Sequence, residues 1–129
     1  MIESDKKRIL VVDDEPAICQ LCRRVLTEAG FEVEIAGNGR MAQSTISKQE
    51  YGLYLFDIKM PLMDGKELYI WLREMYPRIT SRILFTTGSA TGQDTENFLR
   101  SSGRPVLLKP FTIEELKTLI GKALEETDR

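Results

Sequence analysis

Two unbroken apolar runs, Ile9 to Val12 and Leu53 to Phe56, constrain this 129-residue chain more than any other feature. Runs this short read as strands covered on both faces, and a strand covered on both faces needs helices above and below it. The intervening segments supply them. Ile18, Leu21, Cys22, Val25, Leu26 and Ala29 recur at the spacing of one helical stripe, with Gly30 where a C-cap would fall. Residues 31–36 alternate, as an edge strand with one wetter face does, and 39–49 form a weaker helix. Leu68, Trp71, Leu72 and Met75 mark a third helix ended by Pro77. Residues 82–87 and 105–108 read as strands, and 112–126 as the last helix. Between those strands lies a short helix, 93–101, whose main apolar anchors are Phe98 and Leu99. Five strands alternating with five helices predict an α/β fold with a parallel sheet and helices on both faces. Right-handed crossovers leave few topologies, among them the doubly wound order 2-1-3-4-5.

Composition excludes several functions. With 18 basic and 20 acidic residues and a net charge of −2, the chain carries no basic footprint for direct nucleic-acid binding. No run approaches the roughly 20 apolar residues of a membrane span, and the polar start lacks a signal-peptide core, so no membrane insertion and a cytoplasmic location are expected. No repeat or linker divides the sequence, which predicts one domain over 1–129, with a core at 8–126 and a polar tail at 1–7. Cys19 and Cys22 make a CxxC, but they sit on a helix, and no histidine exists to complete a zinc site. Packing is the expected role of the pair.

The strand ends break the apolar pattern. Asp13 ends the first strand with Asp14 next, Asp57 ends the third, Thr86-Thr87 the fourth, and Lys109 follows the fifth. In a parallel doubly wound sheet these ends share one edge, where ligands bind at the point of winding reversal. Each residue also has a plain reading. The acids before Pro16 suit a helix cap, Asp57 a turn, Thr87 a strand, and Lys109 a solvated loop. The conjunction favours chemistry. Three carboxylates at one site need a cation, and an all-oxygen set suits Mg²⁺. With a lysine and a hydroxyl beside them, they make a phosphoryl-binding site whose nucleophile is a carboxylate.

In order and spacing, "VVDDE", "FDIKMPLMDG", "LFTTG" and "LLKPF" resemble the receiver domain of two-component response regulators, over residues 8 to 126. The resemblance implies a flavodoxin-like fold and a signalling domain that catalyses only its own phosphorylation and dephosphorylation. Asp57 would be the phosphoacceptor, attacking a phosphohistidine on a sensor histidine kinase or phosphotransfer protein. Asp14, Asp57 and the backbone carbonyl of Lys59 would ligate Mg²⁺, with Asp13 acting through water. Thr87 and Lys109 would contact the phosphoryl group, and the Lys109–Pro110 bond would be cis. The Lys59 side chain would overhang the site and alter how fast the phosphoryl group is lost. Two positions depart from the pattern: Val106 stands where most receivers carry Tyr or Phe, and Gly88 where Ala is usual. The weakly apolar segment after Thr87 is expected to reorder when Asp57 gains charge and so to reach a downstream protein. The chain is expected to be either a stand-alone receiver or part of a hybrid histidine kinase, without an output domain after its last helix. Two alternatives are a Mg²⁺-dependent phosphatase with an aspartyl nucleophile and a flavodoxin-like flavin binder.

Overall fold

A computed structural model describes residues 7–88 and 92–127. Residues 1–6 of the expected tail, and 89–91 of the segment expected to reorder, lie outside the described residues. The strands are β1 (Arg8–Val12), β2 (Glu32–Ala36), β3 (Leu53–Asp57), β4 (Ile83–Thr87) and β5 (Val106–Leu108). The α-helices are α1 (Pro16–Glu28), α2 (Gly39–Lys48), α3 (Gly65–Met75), α4 (Gln93–Ser102) and α5 (Ile113–Thr127). All pairings are parallel and the order is β2-β1-β3-β4-β5, as the alternation predicts. Each expected element forms, with ends shifted by a residue or two.

Burial follows position in the sheet. The central strands β3 and β4 are buried at every residue, whereas edge strand β2 alternates until Ala36. Alternating side chains of the sheet feed two cores. Leu10, Val12, Phe56 and Phe85 pack with Ala42 and Ile46 of α2, Leu68 and Leu72 of α3, and Phe98 of α4. Ile9, Val11, Leu55 and Leu84 pack on the other face with Cys22, Val25 and Leu26 of α1 and Leu116 and Ile120 of α5. The chain therefore winds one way from β1 to β2 and the other way from β3 onward. The reversal opens a crevice between the ends of β1 and β3.

Local chemistry sets the helix ends. Pro16 opens α1, and Gly30, at φ +99°, turns the chain beyond it. The Gly30 N–H donates to Thr27 O and the Phe31 N–H to Leu26 O, which closes the carbonyl end. Asp64 and Glu67 form a reciprocal capping box on α3. Pro77 does end α3, but it also opens a 3-10 helix, Pro77–Arg82, that the periodicity did not suggest. Cys22 is fully buried and burial pushes its thiol up to about 12, while the half-buried Cys19 donates to Asp13 O. Of the CxxC pair, Cys22 packs in the core beneath α1.

Candidate functional site

The sheet register brings the predicted polar residues to one edge. Val12 pairs with Phe56, so Asp13 follows β1 alongside Asp57 at the end of β3. Asp57 pairs with Thr86, and Thr87 with Leu108, which sets Lys109 one residue past β5 and beside them. The Lys109 N–H donates to Thr87 O at 2.8 Å, and the Asp13 N–H to Ala36 O at 3.1 Å. The Lys109–Pro110 peptide is cis.

A cleft of about 320 Å³ opens there, lined by Asp14, Glu15, Asp57, Lys59, Thr87, Gly88 and Lys109. Asp13 and Asp57 are buried, whereas Asp14 is exposed at the mouth. One carboxylate oxygen each from Asp13, Asp14 and Asp57 lie within 4.8 Å of one another. The Lys109 ammonium sits among the acids, 2.9 Å from Asp13 Oδ2, 2.7 Å from Glu15 Oε1 and 3.1 Å from Asp57 Oδ2. Asp57 Oδ1 accepts from the Lys59 N–H at 3.3 Å.

These contacts settle which plain readings fail. Glu15 occupies the N-cap of α1 but makes no side-chain cap; its carboxylate turns to Lys109 instead. Asp13 Oδ1 accepts from the Glu15 N–H, which folds the "DDE" corner onto itself. Lys109 is not solvated in a loop, since its side chain is 11% exposed. Glu15 is the residue that sequence reasoning missed. Its signal was its place as the third acid of "DDE", read only as a helix start.

Electrostatics single out Asp57. Burial, and then the nearby charge of Asp13, push its carboxyl up to about 6 despite Lys109 and the Lys59 N–H. Burial works to lower the pKa of the Lys109 ammonium, but the carboxylates of Glu15, Asp13 and Asp57 more than offset it and hold it above the usual range. One ammonium is thus shared by three acids, with a fourth, Asp14, beside them. The donor set is all oxygen and in excess of its resident cation, which fits a hard divalent ion such as Mg²⁺.

The strand-end backbone is held to fit. The Gly65 N–H donates to Ile58 O at 3.0 Å, and a Cβ on Gly65 would lie 2.5 Å from Asp57 O. No side chain fits at 65 without moving the Asp57 peptide, which explains the Asp64-Gly65 pair so soon after Asp57. Thr87 Oγ1 donates to Gly88 O over a long 3.3 Å, so its hydroxyl is weakly committed. Val106 is half-buried against the Phe85 core rather than reaching the cleft.

Comparisons with known proteins agree with this fold. The family described as the response regulator receiver domain matches residues 9–121. The chain is 31% identical over 123 residues to transcription factor SKN7 of Candida albicans, covering 95% of this chain and 22% of that protein. It is 36% identical over 114 residues to sensor protein EvgS of Escherichia coli K12, covering 88% of this chain and 9% of that one. The chain thus spans about a fifth or less of these curated relatives. Among solved structures, a CheY-like receiver domain protein from Methanospirillum hungatei superposes with a TM-score of 0.85 at 32% identity, covering 95% of this chain and 96% of that one. No helix among the described residues is long and apolar enough to cross a membrane.

Proposed function

The chain belongs to the response regulator receiver family of two-component signalling, and on that premise we propose that Asp57 accepts a phosphoryl group from a partner's phosphohistidine. The carrying observation is the buried Asp57 carboxylate held 3.1 Å from Lys109 Nζ, in a cleft with Asp13 and Asp14 at the winding reversal. In the transfer, an Asp57 carboxylate oxygen forms the new P–O bond. The P–N bond to the donor imidazole breaks, and its electron pair leaves with the imidazole.

The surrounding residues divide the work. Lys109 pairs with the phosphoryl oxygens, exchanging its contact with Asp57 for them, while Glu15 and Asp13 keep its charge in place. Thr87 turns its loosely held hydroxyl toward the new group. Asp14, Asp57 and the backbone carbonyl of Lys59 would hold Mg²⁺ directly, and Asp13 through water. When bound, Mg²⁺ neutralises charge on the oxygens of the transferring group. The Lys59 side chain, at the cleft mouth, overhangs the phosphoryl group. The chain acts as one receiver domain in the cytoplasm, a signalling unit that turns over only its own phosphoryl group. Its upstream partner is a sensor histidine kinase or phosphotransfer protein, and its downstream partner another protein. The matched family is neither the phosphatase nor the flavin-binding alternative.

Incubation with acetyl phosphate, with and without Mg²⁺, tests the reading by intact mass. One phosphoryl adduct is expected, dependent on Mg²⁺ and absent from Asp57→Asn. An adduct that survives in that variant, or none in the unaltered chain, overturns it.

A further inference from the structure

A second cavity, of about 480 Å³, lies between the end of α2 and the start of the 3-10 helix. It is larger than the cleft at Asp57 and falls at the opposite pole of the sheet. Its lining comes from the segments that lead into β3 and β4, whereas Asp57 ends β3. Ile46, Pro77 and Ile79 wall the space, and Met75, 57% exposed, carries the apolar lining out to solvent. A concave site of this size, with aliphatic walls and a few polar groups, has the general form of a small-molecule pocket.

Two polar groups of the lining are not used up by the fold. Tyr54 is fully buried, and its hydroxyl oxygen accepts the Tyr51 N–H at 2.9 Å. That contact occupies a lone pair only, and the O–H proton has no acceptor among the described residues. A buried donor is therefore left over. The hydroxyl feels the charges of Glu50, Arg82 and Arg78, which places it at the polar end of the cavity. Lys48, in the last turn of α2, is the other group: it has no hydrogen-bond or ion-pair partner among the described residues.

Charge narrows the kind of ligand. Arg78 donates to both Glu50 oxygens and Arg82 to one of them, so that carboxylate is already matched. Of the charged side chains that line the cavity, Lys48 and Arg78 are positive and Glu50 is negative, a sum of +1 in a chain of net charge −2. The surplus suits one negative charge, and the Tyr54 O–H suits an acceptor that carries it. A carboxylate is both, and the aliphatic walls suit an apolar body behind it. We propose that this cavity binds a small amphipathic monocarboxylate, a medium-chain alkanoate, with its head group at Tyr54 and Lys48 and its chain along Ile46, Met75 and Ile79. Binding is non-covalent and lies apart from the phosphoryl chemistry, since Tyr54 precedes Asp57 by three residues on β3, about 10 Å along the strand. The site stands whether or not Asp57 is the phosphoacceptor.

Octanoate and its neutral counterpart octanamide, titrated into the full chain and followed by amide NMR shifts, test the proposal. Octanoate should give saturable shifts centred on residues 46–50, 54 and 75–79, with a Kd of about 1 mM or lower. Octanamide should bind about fivefold more weakly. Tyr54→Phe should weaken octanoate about fivefold by removing the buried donor. That change also unpairs the Tyr51 N–H, so Lys48→Glu, at an exposed position, is the second variant. It should weaken octanoate about fivefold and leave octanamide unmoved. No saturable shift up to about 10 mM octanoate, shifts centred elsewhere, or equal affinity for the two probes overturns the proposal, as does unchanged octanoate binding in Lys48→Glu.

Discussion

Thr86 and Thr87 are adjacent and both buried, yet they face opposite ways. Alternation along β4 points Thr86 to the side of Leu84, among the residues packed by α1 and α5, and Thr87 into the cleft. Thr86 Oγ1 finds no hydrogen-bond partner among the described residues. A buried hydroxyl left unpaired costs on the order of 1–3 kcal/mol, so Thr86→Val should raise stability by about 1 kcal/mol. Urea denaturation, with an unchanged slope, is the check; a loss of stability would mean that the hydroxyl is satisfied. The sequence "TT" offers two hydroxyls at the right place, and only the pleat decides which one the site receives. Glu15 escaped notice for a related reason. Its partner Lys109 is 94 residues away, and no local pattern announces that pair.

Among the helices, α4 is held most lightly. It has no buried residue and no side-chain N-cap, whereas α3 carries a capping box and four buried positions. Its attachment runs through Phe98, in edge contact with Tyr69 at 5.5 Å and Phe85 at 5.6 Å, with Lys66 Nζ 5.8 Å from its ring centre. Phe98→Ala should therefore lower the local opening free energy of Gln93–Ser102 by about 1–2 kcal/mol, and that of the central strands much less. Amide exchange mapped by residue reads this directly, and a uniform loss across β3 and β4 would contradict it. The sparse apolar pattern of this segment made its weakness legible in advance. The 3-10 helix at Pro77–Arg82 was not legible. Proline signals a helix end and also a helix start, and the buried Ile79 and the grip of Arg78 and Arg82 on Glu50 are long-range. Strand order could be narrowed from alternation and handedness, because those rules act on elements. The shared ammonium could not, because it arises only once the elements are packed.

At the scale of the molecule, the fold spends stability to assemble three acids around one lysine with Asp14 beside them, and the sign of that cost depends on pH and metal. Asp57 has a folded-state pKa of about 6, above its ordinary value near 4, so the folded chain holds its proton more tightly than the unfolded one. Stability linked to that proton is fully present below the unfolded value and is lost as pH rises through 6. In chelator at neutral pH, Asp57→Asn should therefore be more stable than the unaltered chain by about 1–2 kcal/mol, the shift being discounted for partial solvation. The gap should close as pH falls toward 4. Mg²⁺ should act in the opposite direction. Bound only to the folded acids, at ten times its dissociation constant it would stabilise the unaltered chain by about 1.4 kcal/mol, and it should leave Asp57→Asn nearly unmoved. Thermal melts of both proteins, in chelator and in Mg²⁺, at neutral and mildly acid pH, give the comparison. A variant less stable than the parent in chelator would show that Lys109 more than compensates the Asp57 charge, and equal Mg²⁺ shifts in both proteins would place the ion away from Asp57.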